Sequence, residues 1–388
     1  MKADITRRDF VKATGAAAAV AAAGLSLQPS QAKEEASAKL LPLRQKTEFG
    51  TLREVILGRT EEAAFPPKSK ANANFTDHVA DLGPGFYDKY KEGERIPFAE
   101  AKPELVVAYN QLHNDLTKAY ESEGVRVQRI NLPTKEIINY WAYAAHGYWP
   151  ATLASLWQIF GNVVVEMIVS DNILECAPAG FAARELFTER FENDPNAIWL
   201  SLPASMPVDR SQGAGPGPFM SGGDIRIIDE KTVFCGCAWE KGKKEPAASN
   251  PAGAEVLRRM LRPFGYEVHQ INTDADFSFH FDFVFGLIAP GVVAVPKGLF
   301  LDGIPKPIKD WDIIWVTKDD VNQGACNIVP LGPDASGQHR VMVPRKTPKM
   351  NEEIAKRGVK PVPVEVELGA RNGGAIRCAT LVTNRADS

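Results

Sequence analysis

After residue 41 the 388-residue sequence has no charge run, no low-complexity tract and no linker-like stretch, so neither a polyanion-binding tail nor a joint between domains is indicated. Charge bias is also missing. Lysine and arginine number 45 against 48 acids, a formal net charge of -3, which argues against nucleic acid or an anionic membrane as a global partner. The N-terminal apolar run from Ala13 to Leu27 is mostly alanine and broken by Thr14, Gly15, Gly24 and Ser26. It falls short of the roughly 20 residues that span a bilayer. Cysteines are few, five in all, and Cys235-Gly236-Cys237 has the wrong spacing for a zinc knuckle, with no second pair beside it. No metal site is therefore expected, and an odd cysteine count leaves at least one thiol free.

What is present begins with the leader. Thr6-Arg7-Arg8-Asp9-Phe10-Val11-Lys12 is a twin-arginine pattern ahead of the apolar run, and Ser30-Gln31-Ala32 is a small-x-small cleavage site. Residues 1–32 read as a twin-arginine signal peptide, 33–41 as a disordered lead-in, and 42–388 as a single domain. The expected partners are the twin-arginine translocation machinery and, in the periplasm or outside the cell, a small molecule; self-association is left open.

Along 42–388 one order recurs: two strands, a helix, a strand. Alternating runs at Leu52 to Leu57, Thr232 to Ala238, Gly291 to Pro296 and Arg340 to Pro344 read as strands. Apolar residues at helical spacing mark helices over Glu100–Glu123, Phe181–Phe191, Ala252–Arg262 and Lys349–Arg357. Paired strands are expected between Val163 and Glu175, and a hairpin from Asp282 to Pro296. About five such ββαβ units fit the chain, and a doubly wound sheet, in which single strands alternate with helices, does not match them. A ring of small mixed sheets around an axial pocket does.

Three stretches carry chemistry. Arg371-Asn372-Gly373-Gly374-Ala375-Ile376-Arg377-Cys378 reads as a glycine-rich loop that delivers a thiol to the start of an apolar strand; the alternative is a buried, inert cysteine. In His280-Phe281-Asp282 a strand start would put an acid-base histidine and a carboxylate on one side, against the alternative of a packed core histidine. Gly222-Gly223-Asp224 brings a carboxylate to a strand entrance through a glycine pair that allows close approach; the alternative is an aspartate capping its own turn.

Together these stretches stop being generic. Their order resembles the guanidine-modifying superfamily of amidinotransferases, arginine and agmatine deiminases and dimethylarginine hydrolases. Within it the likeness is to amidinotransferases of the glycine amidinotransferase type, running from Phe49-Gly50-Thr51 through Asn172-Ile173-Leu174-Glu175-Cys176 to Cys378. The resemblance implies a five-bladed α/β propeller with an axial active site and no cofactor. It implies Cys378 as the nucleophile on a guanidinium carbon, His280 as the proton carrier, and Asp224 and Asp282 as the carboxylates that hold the cation. A thiolate beside cationic groups would have a depressed pKa.

The sequence departs from that pattern at three places. Phe160-Gly161-Asn162 stands where an Arg-Asp pair is usual, making Asn162 a substitute for one carboxylate; Arg377 stands where histidine precedes the nucleophile; and Lys297 is the candidate for the arginine that holds a substrate carboxylate. Aromatic residues from Tyr140 to Trp149, with Trp157, form either a cation-binding wall or a core segment. The implied reaction passes an amidino group through Cys378 to an amine. Two alternatives are a deiminase or related C–N hydrolase with water as acceptor, and an inactive binder of cationic solutes.

Overall fold

Short apolar runs closed by Gly, Pro or Asp turns become the central strands of five three-stranded sheets. In the computed structural model the described residues are 40–68, 81–134, 147, 149–169, 177–202 and 217–387. The twin-arginine leader, the stretch from Tyr140 to His146 with Tyr148, and Asn172 to Cys176 lie outside them.

All five sheets follow one rule. Val163–Glu166 pairs antiparallel with Trp157–Phe160 and parallel with Ile198–Ser201. Thr232–Trp239 lies likewise between Ile225–Ile227 and Glu267–Asp274. Val292–Pro296 lies between Gly286–Ala289 and Asp312–Val316, and His339–Pro344 between Val329–Pro333 and Lys360–Val364. The hairpin comes first and a crossover returns the chain parallel, as parallel pairing requires. In the remaining sheet Leu52–Leu57 takes its parallel partner from Arg126–Arg129 and its antiparallel partner from the far end of the chain, Thr380–Arg385.

Helices fill the crossovers. Pro103–Ser122 starts with proline, whose fixed φ suits a first turn, and buries Leu105, Tyr109, Leu112, Leu116 and Tyr120 on one face. Pro251–Leu261 is capped by the Asn250 side chain, which accepts from the Gly253 amide at 2.9 Å. Between Val292–Pro296 and Asp312–Val316 the helix shrinks to the single turn Lys306–Ile308. Among the described residues no helix is long and apolar enough to cross a membrane. The protein is mixed α/β.

One expected strand pair is displaced. The pairing expected between Val163 and Glu175 starts earlier, at Trp157, because Gly161 adopts a φ of +59° and with Asn162 makes the turn between Phe160 and Val163. Trp157 therefore points into the core, its indole donating to the Gly180 carbonyl at 3.0 Å and packing 4.6 Å from the Phe187 ring. Trp149 is buried too, 4.5 Å from Phe98 and 5.4 Å from Tyr109. Both described tryptophans of the aromatic stretch are core residues rather than a cavity wall.

The sheet that joins the chain ends carries a buried charge. Glu54 is fully buried, paired with the buried Arg190, accepts from Thr383 at 2.8 Å, and lies 3.6 Å from the partly exposed Arg126. Removing Arg190 would strand much of that charge in the interior. Arg190→Met is expected to lower unfolding stability by about 3 kcal/mol in urea titration. An unchanged midpoint would show that Arg126 and Thr383 suffice.

Candidate active site

The C-terminal strand fixes where the thiol sits. Thr380 pairs with Leu57, so Cys378, in the one-turn helix Ile376–Ala379, is held at the mouth of the sheet that joins the two ends of the chain. Gly373 and Gly374 have φ of 84° and 92°, a conformation that favours glycine, and they turn the chain into that helix. Tyr109 anchors the turn by donating to the Gly373 carbonyl at 2.7 Å. Asn372 ties it to Asp81, donating to the carboxylate at 2.8 Å and accepting the Asp81 amide at 3.0 Å.

Cys378 is 3% exposed and lines a cavity of about 430 Å³. His280, 4% exposed, lines the same cavity. Its wall also includes Phe277, Phe279 and Phe283, with Thr152, Ser155 and Arg371. No carboxylate is among the described lining residues. Asp282 sits behind the thiol, its Oδ2 3.3 Å from the Cys378 sulfur and its Oδ1 buried without a hydrogen-bond partner among the described residues. Asn327 is a second polar neighbour, its Nδ2 3.0 Å from the same sulfur.

His280 and Asp282 are not on a strand. Phe281–Phe283 is a short 3-10 turn, and the strand begins only at Gly286. A turn separates the two side chains where strand alternation would have put them on one face: His280 lines the cavity and Asp282 lies behind the thiol. Asp224 builds this turn. Its Oδ1 accepts the Phe281 amide at 2.9 Å and its Oδ2 the Ser249 amide at 3.0 Å. The glycine pair before it is needed for packing. A Cβ on Gly222 would lie 2.0 Å from the Ala154 carbonyl oxygen, and one on Gly223 would lie 3.2 Å from Nδ1 of His280.

Three residues singled out from the sequence stand elsewhere. Asn162, in its hairpin turn, donates to the carbonyl of Asn196. Lys297 is exposed just past Val292–Pro296 and does not line the cavity. Arg377 turns inward, donating to Gln158 at 3.1 Å and lying 3.8 Å from Glu48. The adjacent backbone puts successive helix side chains on different faces, so Arg377 and Cys378 point into different surroundings. Asn327, Thr152, Ser155 and Tyr109 were not anticipated. A polar Asn327 between Cys326 and the apolar Ile328-Val329 is the one signal that pointed to a role, since a buried amide must be satisfied.

Electrostatics also differs from expectation. Burial, and then the charge of Asp282, push the Cys378 thiol well above the usual thiol range, against smaller opposing effects of Asn327 and Arg377. These surroundings favour the thiol over the thiolate. Of the other described cysteines, Cys326 is pushed up to about 12 by burial and Cys235 is raised as well; all are free, buried and away from the cavity lining. Among the described residues no group of three or more His, Cys, Asp or Glu is placed to hold a metal.

Comparison with known proteins finds both a leader and full-length relatives. A family model for the twin-arginine translocation pathway signal sequence matches residues 4–24. Mitochondrial glycine amidinotransferase of Danio rerio is 24% identical over 407 residues, covering 96% of this chain and 90% of its own. The chain is similar to amidinotransferases over nearly its whole length. Among solved structures, SxtG, an amidinotransferase of the saxitoxin biosynthetic pathway from Microseira wollei, superposes with a TM-score of 0.66 at 21% identity, over 90% of this chain and 98% of its own. Inosamine-phosphate amidinotransferase StrB1 from Streptomyces griseus gives 0.65 at 17% identity, over 89% and 97%. A dimethylarginine dimethylaminohydrolase shares the fold more distantly, at 0.54 and 14% identity over 85% and 99%. Transferases and hydrolases thus share this fold.

The thiol's state is directly testable. Alkylation of Cys378 by iodoacetamide should accelerate about tenfold per pH unit between roughly pH 7 and 9 without levelling off, because the thiolate fraction is still rising there. Asp282→Asn removes the neighbouring negative charge and should speed alkylation at fixed pH by about tenfold. A plateau below pH 8, or no acceleration in Asp282→Asn, would contradict this electrostatic account.

Proposed function

We propose that the protein is an exported, cysteine-dependent amidinotransferase that handles a small guanidino substrate. The observation that carries this is that Cys378 and His280 line one cavity while the Asp282 carboxylate, outside that lining, lies 3.3 Å from the Cys378 sulfur. A planar cation needs an in-plane carboxylate, and the open Oδ1 of Asp282 supplies one acceptor.

In the proposed reaction the guanidinium pairs with Asp282 and offsets the charge that holds the thiol protonated. The sulfur attacks the guanidinium carbon, and the thiol proton passes through His280 to the departing nitrogen. A neutral amine leaves and a cationic amidino-thioether remains on Cys378. An incoming neutral amine then attacks the same carbon, His280 takes the proton that this nitrogen loses and passes it to the sulfur as the C–S bond breaks, and a new guanidinium departs. Splitting one displacement into two lowers the difficulty of each. Asp224 acts by holding the turn that carries His280. With water in place of the amine the same intermediate is hydrolysed, which is the second reading; the distant hydrolase of the same fold favours keeping it.

The five alike sheets, with the last strand paired to the first, support a closed five-bladed ring around this cavity in one catalytic domain. The leader supports delivery of the folded enzyme to the periplasm or beyond by the twin-arginine route.

The test is incubation of purified protein with arginine and other guanidines, with and without amine acceptors. The expected result is a new guanidino compound that forms only with an acceptor, a Cys378 adduct trapped by mass spectrometry, and loss of both in Cys378→Ala. Ammonia or urea released without acceptor would replace transfer by hydrolysis. Turnover surviving in Cys378→Ala would overturn the covalent mechanism.

A further inference from the structure

We propose that Asn327 is the group that stabilises the Cys378 thiolate, its carboxamide nitrogen donating to the sulfur while its oxygen locks the backbone that presents it. The inference rests on the reading of Cys378 as the nucleophile, and it assigns the charge that develops on sulfur to a residue outside the Cys–His–Asp set.

The orientation of the amide follows from its partners. Its Oδ1 is 2.8 Å from the backbone nitrogen of Arg377 and 3.3 Å from that of Cys378 itself. Backbone N–H groups only donate, so the atom facing them must be the oxygen, and the amide cannot be flipped. Its nitrogen, 3.0 Å from the sulfur and 3.3 Å from the Asp282 carbonyl, is then a donor to both. Asn327 is fully buried, so each of these bonds lies out of water, where an amide N–H to an anion is at its strongest.

The sulfur thus has two neighbours of opposite preference. A carboxylate can only accept, so the contact at 3.3 Å with Asp282 keeps the proton on sulfur. An amide N–H can only donate, so the Asn327 contact favours the sulfur without its proton. Once a guanidinium occupies the Asp282 carboxylate, the S–H bond breaks and its proton leaves through His280 to the departing nitrogen. The electron pair left on sulfur forms the C–S bond. During that step Asn327 is the hydrogen-bond donor that the described residues offer the sulfur. The same side chain fixes the Arg377 and Cys378 amides, so the sulfur cannot drift away as its charge grows.

Iodoacetamide alkylation of Cys378 in the full chain, followed by peptide mass mapping between pH 7 and 9, reads this without turnover. Asn327→Leu keeps the volume and removes the donor; Asn327→Ala removes it and opens space. Both are expected to give a pH profile parallel to wild type but about ten- to a hundredfold slower, the loss of one hydrogen bond to a charged group. A residue that only packs the loop would behave oppositely, since loosening it exposes the thiol and speeds alkylation. Variants that are folded by near-ultraviolet circular dichroism and alkylate within about twofold of wild type, or faster, overturn the proposal. If the Leu variant does not fold, the Ala variant alone decides. Slow variants beside a wild type that transfers no amidino group would leave Asn327 as the thiolate donor and sink the proposed function instead.

Discussion

The contact between the Cys378 sulfur and the Asp282 carboxylate is the constraint that the rest of the site answers to. Two anions buried 3.3 Å apart would repel by something on the order of 5 kcal/mol at an effective dielectric constant near 20, before any cost of burial is added. A thiolate therefore does not persist there alone. In the proposed reaction the nucleophile is stored protonated, and a cation that reaches Asp282 releases it. Activation and substrate recognition then become one event, and the buried thiol is protected from other electrophiles until that event occurs.

Beneath this pair lies a second electrostatic problem. Arg226, Arg377 and Arg385 are all buried, and Glu48 is the acid they share, 3.0 Å from Arg226 and 3.8 Å from Arg377. Burial lowers Arg226 and brings Arg385 down to about 10, but neutral backbone and amide oxygens carry part of the load: Arg385 donates to the Gly50 and Pro330 carbonyls at 2.9 and 2.8 Å, Arg377 to Gln158. Glu48 also accepts the Ile227 amide at 3.1 Å, and so joins the N-terminal segment to the strand that follows Asp224. Arg377 adjoins Cys378 in sequence yet belongs to this cluster. Its charge favours the thiolate from a distance, but the effect is smaller than that of burial and of Asp282.

Much of this was legible because it depends on residue order and period. The recurrence of hairpin, crossover and strand is written in period-two runs and in one-sided helices such as Pro103–Ser122; the glycine pair at 222 announced a close approach, and the pair at 373 a loop leading to the thiol, both of which the structure contains. What was missed depends on geometry that no period encodes. Strand alternation was assumed across His280 and Asp282, but the Asp224 carboxylate captures the Phe281 amide and winds the segment into a turn. Asn162 was expected at the substrate, but a two-residue hairpin puts it at the tip of a strand pair. Asn327 left a trace in the sequence only as a polar residue in an apolar run; its partners, some 50 residues away, could not be read from it.

The cavity itself bears on what kind of guanidine is handled. In the proposed reaction Asp282 is the carboxylate available to the cation, and the described lining offers hydroxyls from Thr152 and Ser155 where a second carboxylate would double the grip. Arg371, the charged residue at the wall, is already paired with Asp81 and repels a bare cation. A single buried carboxylate with one open oxygen can orient a guanidinium but discriminates poorly between one guanidine and another, because every member of the class presents the same plane of N–H groups. Discrimination must come from the rest of the molecule. The rings of Phe277, Phe279 and Phe283 give that remainder an apolar and π-rich surface to lie on, and such contacts scale with the area buried and with fit. The charge on the substrate thus serves to free the thiol, while the shape of its body serves to choose it.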